Sequence, residues 1–198
     1  MKGREIVVGV TGGIAAYKTA ALVSQLVQGG AGVTVVMTDA AEAFIGPATF
    51  AALTGRPVAR KVFDEAQFPL GAHVTLAERA ELLVVAPASA DLLAKAAHGL
   101  ADDLLSTLYL AFTGRVLMAP AMNTAMWEQP AVQRNVSQLR ADGVQFIDPE
   151  SGWLSCRQVG AGRMAAPEKI FAAVQRLLDS KSKGERRASA GERGASAP

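Results

Sequence analysis

Short runs of β-branched and other apolar residues alternate along this chain with longer segments rich in alanine and leucine. The short runs are typical of buried strands, and the longer segments repeat their apolar positions at helical spacing. This alternation predicts a three-layer α/β fold, in which a parallel sheet is covered by helices on both faces. The predicted strands are Glu5–Val10, Val33–Met37, Leu82–Ala86, Val116–Ala119 and Val144–Ile147. The predicted helices are Ile14–Gln28, Ala90–Ala97, Asp102–Phe112, Pro130–Asp142 and Pro167–Asp179.

Ligands of an open parallel sheet bind beyond the carboxyl ends of its strands, so the loops at that edge are the place to search for chemistry. They are residues 11–13, 38–41, 87–91, 120–127 and 152–164. The last of these is rich in glycine and predicts a flexible flap.

The first of these loops, Thr11-Gly12-Gly13, connects a strand to a helix that opens at Ile14. Such a turn offers backbone N–H groups and the positive end of a helix to an anion. Neither the nucleotide P-loop pattern nor the spaced glycines of the dinucleotide fingerprint is present. Taken alone, the loop is equally compatible with a tight turn that binds nothing.

Two hydroxyl groups follow other strands at the same predicted edge, Thr38 after the second strand and Ser89 after the third. Hydroxyls and backbone N–H groups that converge there suit the phosphate and ribityl chain of a mononucleotide. The sequence therefore predicts flavin mononucleotide, FMN, as the cofactor, held by Gly12, Gly13, Ile14, Thr38 and Ser89.

Length and composition limit the other possibilities. A chain of 198 residues, half of them apolar, fits one domain, predicted over residues 1–179. Residues 180–198 carry a net charge of +3 against −1 for the remainder, and their Gly/Ser/Ala-rich composition predicts a disordered basic tail. The domain has no basic stripe of the kind that nucleic-acid binding needs.

Cysteine usage and hydropathy predict a cytoplasmic protein. Cys156 is the single cysteine, which excludes an intramolecular disulfide and a zinc site of several thiolates, and we expect no metal. The amino-terminal segment lacks the apolar core of a signal peptide, and no apolar run nears the ~20 residues of a membrane span.

The stretch APAMNTAMWEQP, residues 119–130, has an unusual composition for a plain connection. Asn123 can donate and accept hydrogen bonds at once, which suits a carboxylate or amide in an apolar pocket. An isolated Asn is also a common helix N-cap, and Met122, Met126 and Trp127 could be ordinary core residues.

Four segments in order carry a resemblance to a known family: GVTGGIAAYK, GAHVTLAERAELLVVAPAS, PAMNTAMW and GWLSCRQVGAGRMAAP. They resemble the homo-oligomeric flavin-containing cysteine decarboxylases, whose motif is PxMNxxMW. The resemblance covers roughly residues 4–178. It implies a Rossmann- or flavodoxin-like sheet and a trimer or dodecamer with each flavin between two chains.

In this family FMN oxidises the thiol of a terminal cysteine to a thioaldehyde, and CO₂ then leaves because the carbanion is delocalised into the C=S group. The resemblance favours the branch that acts on 4′-phosphopantothenoylcysteine, whose enethiol is reduced to 4′-phosphopantetheine in coenzyme A biosynthesis. It implies that His73 manages a proton, that Asn123 binds the carboxylate beside Met122 and Met126, and that Cys156 protonates the enethiol.

Three departures from the family pattern affect the expected site. Arg157 follows the cysteine where the family usually has Gly, Glu81 replaces the usual Asp, and Asp91 stands in ASADL, where the family often has ATANT. A flavin prenyltransferase, a peptidyl-cysteine decarboxylase and a non-catalytic FMN-binding regulatory homologue stay as alternatives. Because no ligase domain fits in this length, we expect the decarboxylase to act alone.

Overall fold

The computed structural model describes residues 1–64, 66–153, 157 and 159–192, with side chains as far as Ser180. Five parallel strands form the main sheet in the order β2-β1-β3-β4-β5. They are β1 (Glu5–Val10), β2 (Gly32–Met37), β3 (Leu82–Ala88), β4 (Arg115–Pro120) and β5 (Gln145–Phe146). A separate antiparallel hairpin consists of β6 (Glu150–Trp153) and β7 (Val159–Arg163).

Nine helices are described around these strands. They are α1 (Ala16–Gln28), α2 (Asp39–Glu42), α3 (Pro47–Thr54), α4 (Ala72–Arg79), α5 (Ala90–His98), α6 (Leu104–Ala111), α7 (Thr124–Trp127), α8 (Pro130–Ala141) and α9 (Pro167–Glu192). Among these described helices, none combines the length and the apolar character needed to cross a membrane.

The sheet separates two apolar clusters because successive side chains of a strand point to opposite faces. In β1, for example, Ile6 and Val8 belong to one cluster and Val7 to the other. Helices α1, α3 and α9 bury their apolar faces in the first cluster, and α4, α5, α6 and α8 bury theirs in the second. The predicted parallel sheet with helices on both faces is confirmed.

All five predicted strands and all five predicted helices are present, and apart from the end of the last helix their bounds shift by no more than two residues. The helix predicted from Ile14 begins at Ala16, and the one predicted from Asp102 begins at Leu104. The second shift has a local cause: the Asp103 carboxylate accepts a hydrogen bond from the Ser106 N–H at 2.8 Å, which caps the helix there.

The structure also contains elements that the pattern did not predict. Four further helices, α2, α3, α4 and α7, lie in segments without a predicted element, and the expected flap over residues 152–164 includes most of the β6–β7 hairpin. Helix α9 continues past its predicted end at Asp179 into the expected tail. That residues 180–198 are a tail separate from the domain stays a prediction.

Thr11 connects the carboxyl ends of β1 and β3. Its side chain is buried, its hydroxyl donates to the Pro87 carbonyl at 2.7 Å, and the same oxygen accepts from the Ser89 N–H at 2.9 Å. These two bonds hold the neighbouring strand ends together at the edge where a ligand would bind.

We expect Thr11→Val to lower the free energy of unfolding by about 2–3 kcal/mol, because the buried Pro87 carbonyl and the partly buried Ser89 N–H lose their partner. Urea unfolding followed by circular dichroism measures the change. Thr113→Val is the matched control because Thr113 is exposed. Equal stability of the two variants would contradict the assigned role of Thr11.

Candidate functional site

A cavity of about 630 Å³ opens at the carboxyl ends of the central strands. The chain leaves β1 toward β2 on one side and returns to β3 on the other, and such a reversal of strand order leaves a crevice between the two strand ends. The cavity walls come from the turn before α1, the end of β3, the loop after β4, and strand β7.

The two glycines after β1 have different roles in this wall. A Cβ atom on Gly12 would lie 2.6 Å from the Cβ of Ala40, so only glycine lets this turn pack against α2. A Cβ on Gly13 would meet no atom within 4 Å, and Gly13 lines the cavity. The turn therefore leaves space beside backbone N–H groups near the amino end of α1, as an anion cradle requires.

The other three residues predicted to hold a cofactor separate into two groups. Ile14 and Ser89 line the cavity, and the Ser89 hydroxyl also caps α5 by accepting from the Leu92 N–H at 3.3 Å. Thr38 lies at the amino end of α2, outside the lining, with its hydroxyl oxygen buried and without a hydrogen-bond partner among the described residues. The structure therefore does not bring Thr38 to this cavity.

Asn123 caps a helix and also lines the cavity. It precedes α7, where its Oδ1 accepts a hydrogen bond from the Ala125 N–H at 2.8 Å, and it lines the cavity. This cap fixes the side-chain amide against the backbone. Met122 and Met126 line the same cavity, whereas Trp127 is outside the lining and packs against the second apolar cluster.

The β6–β7 hairpin is attached to the Asn123 loop through glycines. The Met122 N–H donates to the Gly162 carbonyl at 3.0 Å, and a Cβ atom on Gly162 would collide with the Met122 carbonyl oxygen. A Cβ on Gly160 would likewise collide with the Thr124 hydroxyl. The hairpin can approach this loop so closely only because both positions lack a side chain.

Cys156, predicted as a proton donor, lies outside the described residues, in the connection between β6 and β7. Arg157, which follows it, has a backbone φ of 64°, a left-handed conformation that is uncommon for a residue with a side chain. Glycine, the usual residue of the family at this point, adopts that conformation without strain.

His73 is not part of this cavity lining. It lies in the first turn of α4, a helix that buries Ala72 and Leu76 in the second apolar cluster, whereas α1 packs in the first. His73 Nδ1 is buried and has no hydrogen-bond partner among the described residues. Within one chain, His73 and the cavity-lining part of α1 therefore belong to opposite faces of the sheet.

Sequence reasoning missed two basic residues of the cavity wall, Lys18 on α1 and Arg163 on β7. Burial is the main cause that holds the pKa of Lys18 below its usual value, and the charge of Arg163 lowers that pKa further. Lys18 belongs to a quoted motif, but only the fold brings it near Arg163. Among the described residues, no group of three His, Cys, Asp or Glu side chains could hold a metal ion.

Comparisons with known proteins agree with this architecture. The chain is 46% identical over 170 residues to the coenzyme A biosynthesis bifunctional protein CoaBC of Bacillus subtilis (strain 168), a match that covers 86% of this chain and 42% of that protein. The chain thus spans less than half the length of the curated relatives that it matches.

Two solved structures are similar over nearly the whole fold. The FMN-dependent cysteine decarboxylase SpaF superimposes with a TM-score of 0.78 at 34% identity, over 91% of this chain and 98% of that one. A cysteine-to-serine mutant of PPC decarboxylase, complexed with pantothenoylaminoethenethiol, superimposes with a TM-score of 0.82 at 28% identity, over 90% of this chain and 100% of that one. A family model described as Flavoprotein matches residues 1–179, and the chain therefore belongs to the flavoprotein family.

Proposed function

We propose that the cavity binds FMN. The residues fit this group: Gly13 leaves space at the amino end of α1, Ser89 offers a hydroxyl, and Ile14 offers an apolar surface that is 54% exposed. Bound FMN would supply a two-electron acceptor for a thiol and return the electrons later in the same cycle. SpaF, the similar decarboxylase, is described as FMN-dependent.

We propose that the chain catalyses the FMN-dependent decarboxylation of 4′-phosphopantothenoylcysteine to 4′-phosphopantetheine, a step of coenzyme A biosynthesis. The observation that carries this proposal is Asn123 in the wall of the same cavity as the glycine turn. The similarity to CoaBC and to a PPC decarboxylase is the reason for proposing this substrate. The substrate thiol is oxidised to a thioaldehyde, CO₂ leaves, and the enethiol is reduced and protonated, so the net reaction consumes one proton and is redox-neutral.

Asn123 is the proposed ligand of the substrate carboxylate. Its Nδ2 group carries two N–H donors, and its Oδ1 is engaged with Ala125. A neutral amide binds a carboxylate without a full counter-charge. A full counter-charge would stabilise the ground state, whose carboxylate must lose its charge as CO₂ leaves. Met122 and Met126 form the apolar wall beside it.

A homo-oligomer is the proposed functional state, a trimer or a dodecamer with each flavin between two chains. His73 lies outside the cavity lining of its own chain, and this arrangement would let His73 of a neighbouring chain reach the cavity. Several large apolar side chains that line the cavity are exposed in the single chain: Tyr17 and Trp153 by more than half of their surface, and Phe44 by 46%. A surface that a partner covers has this character.

We expect light scattering of the FMN-loaded protein to give a mass that is a multiple of three chains. Burial of these apolar side chains between subunits is the physical reason. A single-chain mass at micromolar concentration would contradict the shared site. A second experiment mixes two inactive variants, His73→Asn and an Asn123 variant, in one oligomer. Activity should return in the mixture, because a shared site can combine the intact His73 of one chain with the intact Asn123 of another.

The proposed role of Cys156 is to supply the proton to the enethiol. We expect Cys156→Ser to release one CO₂ per site and then stop, because a serine hydroxyl is a far weaker acid than a thiol. Anaerobic mixing with one equivalent of substrate should bleach the visible absorbance of the cofactor and keep it bleached. Rapid recovery of that absorbance with a full yield of 4′-phosphopantetheine would assign the proton to another group.

The function is tested by adding 4′-phosphopantothenoylcysteine to the purified FMN-loaded protein and measuring CO₂ and 4′-phosphopantetheine. Similarity to SpaF at 34% identity favours one second candidate, the decarboxylation of a peptide that ends in cysteine. Such a peptide is therefore the parallel substrate. The proposal requires a clear preference for the phosphorylated small molecule, and CO₂ release from the peptide alone would replace it.

We further propose that residues 1–179, the part that the family model matches, form the catalytic unit and that residues 180–198 are an accessory tail. A cytoplasmic location is also proposed, supported by the similarity to bacterial coenzyme A biosynthesis proteins.

A further inference from the structure

The charged side chains in the described cavity lining are all positive. The lining includes two cationic side chains, Lys18 and Arg163, and no carboxylate. Lys18 is partly buried and Arg163 is exposed, and the charge of Arg163 disfavours the charged form of Lys18. An anion bound by both would remove this repulsion. A cavity of this composition favours an anionic ligand.

The fold brings the two cations to the same part of the wall. The Lys18 ammonium donates to the Met164 carbonyl at 3.3 Å, and Met164 directly follows Arg163. The guanidinium of Arg163 extends over β6, where a Cβ atom on Gly152 would lie 3.3 Å from its Nη1. Gly152 thus leaves space for the arginine side chain on the hairpin.

The acidic groups near the pair have other cationic or polar partners, although Glu150 also lies opposite Arg163 in the hairpin and the Arg163 charge helps to lower the pKa of Glu150. Glu150 forms an ion pair with Lys169, and Glu168 accepts a hydrogen bond from Gln25 at 3.1 Å. Both carboxylates raise the pKa of Lys18, but burial and Arg163 outweigh them, so that pKa stays below its usual value. Among the described residues, neither Lys18 nor Arg163 forms a close ion pair with a carboxylate, so both cations can still bind an anionic ligand.

Arg163 lies close to Asn123, the residue proposed to bind the substrate carboxylate. Arg163 follows Gly162, whose carbonyl accepts from the Met122 N–H next to Asn123. The glycine turn proposed for the cofactor phosphate precedes α1, the helix that carries Lys18. A ligand whose carboxylate binds Asn123 could extend along β7 toward Arg163.

We propose that Lys18 and Arg163 bind the phosphate monoester of the substrate and so give the cavity its preference for phosphorylated ligands. This inference rests on the proposed function. The phosphate would accept a forked pair of hydrogen bonds from the Arg163 guanidinium and a further one from the Lys18 ammonium. FMN carries the same phosphate monoester group, so the test must separate the two sources.

The experiment compares phosphorylated and dephosphorylated ligands on the FMN-loaded protein. Calorimetry gives the affinity for 4′-phosphopantetheine and for pantetheine, and kinetics give kcat/KM for 4′-phosphopantothenoylcysteine and pantothenoylcysteine. The variants are Lys18→Gln, Arg163→Gln and Arg163→Lys, with Arg176→Gln as the control because Arg176 is exposed on α9 and outside the cavity lining.

We expect each glutamine variant to lose about tenfold to a hundredfold in affinity for the phosphorylated ligand, as is usual for charge-assisted hydrogen bonds. The loss for the dephosphorylated ligand should be much smaller. Arg163→Lys should recover part of the preference, because it restores the charge but not the forked geometry. The control should keep the wild-type preference.

Two results would overturn this inference. One is an equal loss for both ligands, which indicates a structural role for the pair. The other is an unchanged preference of the glutamine variants for phosphorylated ligands, together with loss of FMN from these variants on gel filtration. That result would assign the cations to the cofactor phosphate. Failure of the proposed function differs from both, because the wild-type protein would then release no CO₂ from either cysteine compound.

Discussion

Gly162→Ala should lower kcat/KM for decarboxylation by at least about a hundredfold and destabilise the fold by about 2–4 kcal/mol, the range of strained and overpacked positions. Gly162 has a φ of 130°, and an added Cβ would collide with the Met122 carbonyl and lie 3.4 Å from the Asn123 carbonyl carbon. These are backbone atoms that cannot rotate away. The hairpin must therefore separate from the Asn123 loop, which displaces both walls of the cavity.

Gly143→Ala provides the matched control for this substitution. Gly143 has a φ of 91°, so alanine brings comparable backbone strain there, but an added Cβ would meet no atom within 4 Å. Thermal unfolding and steady-state kinetics on both variants separate strain from collision. If Gly162→Ala retained the activity of the Gly143→Ala control, the close contact between hairpin and loop would not matter for the reaction.

Asn123→Asp should retain the fold and FMN while kcat/KM for decarboxylation falls by about a thousandfold. Asp is as good an N-cap as Asn, so its carboxylate can keep the bond to the Ala125 N–H. The new charge would face the substrate carboxylate, and two like charges about 4 Å apart cost about 4 kcal/mol at an effective dielectric constant of ~20. Because the repulsion acts on the bound substrate and fades as CO₂ leaves, the loss appears as weaker substrate binding and so in kcat/KM more than in kcat.

Single-turnover kinetics and the flavin content of the purified variant measure this prediction. Asn135→Asp introduces the same charge on α8, outside the cavity lining, and serves as the control. A kcat/KM of Asn123→Asp within tenfold of the wild-type value would show that Asn123 does not bind the carboxylate.

The alternation of apolar runs was sufficient to predict the five strands of the main sheet and the five helices α1, α5, α6, α8 and α9. Strands such as β3, in which every side chain is buried, must be continuously apolar, and helices that cover a sheet must repeat their apolar positions at helical spacing. Both requirements are local and can be recognised in the sequence. The short helix α7 has no buried residue, so no such pattern marks it.

The β6–β7 hairpin illustrates a second limit of the pattern. Its strands contain Gly152, Gly160 and Gly162, and glycine is unfavourable in strands. The hairpin forms where it does because these positions have no side chain, which lets β7 bind the Asn123 loop directly. That advantage depends on a partner more than thirty residues away in the chain and is invisible to a local pattern.

By itself, the sequence determined the α/β architecture and the edge of the sheet at which chemistry is found, because the loop residues Gly13, Ser89 and Asn123 follow strands that must be parallel. Only the tertiary structure decided which side chains share the cavity. It excluded Thr38 from the lining, placed His73 with the helices of the opposite face, and brought Lys18 and Arg163 together. The reason is physical: a strand or helix forms from local periodicity, whereas the meeting of side chains depends on strand order and on the face to which each helix packs.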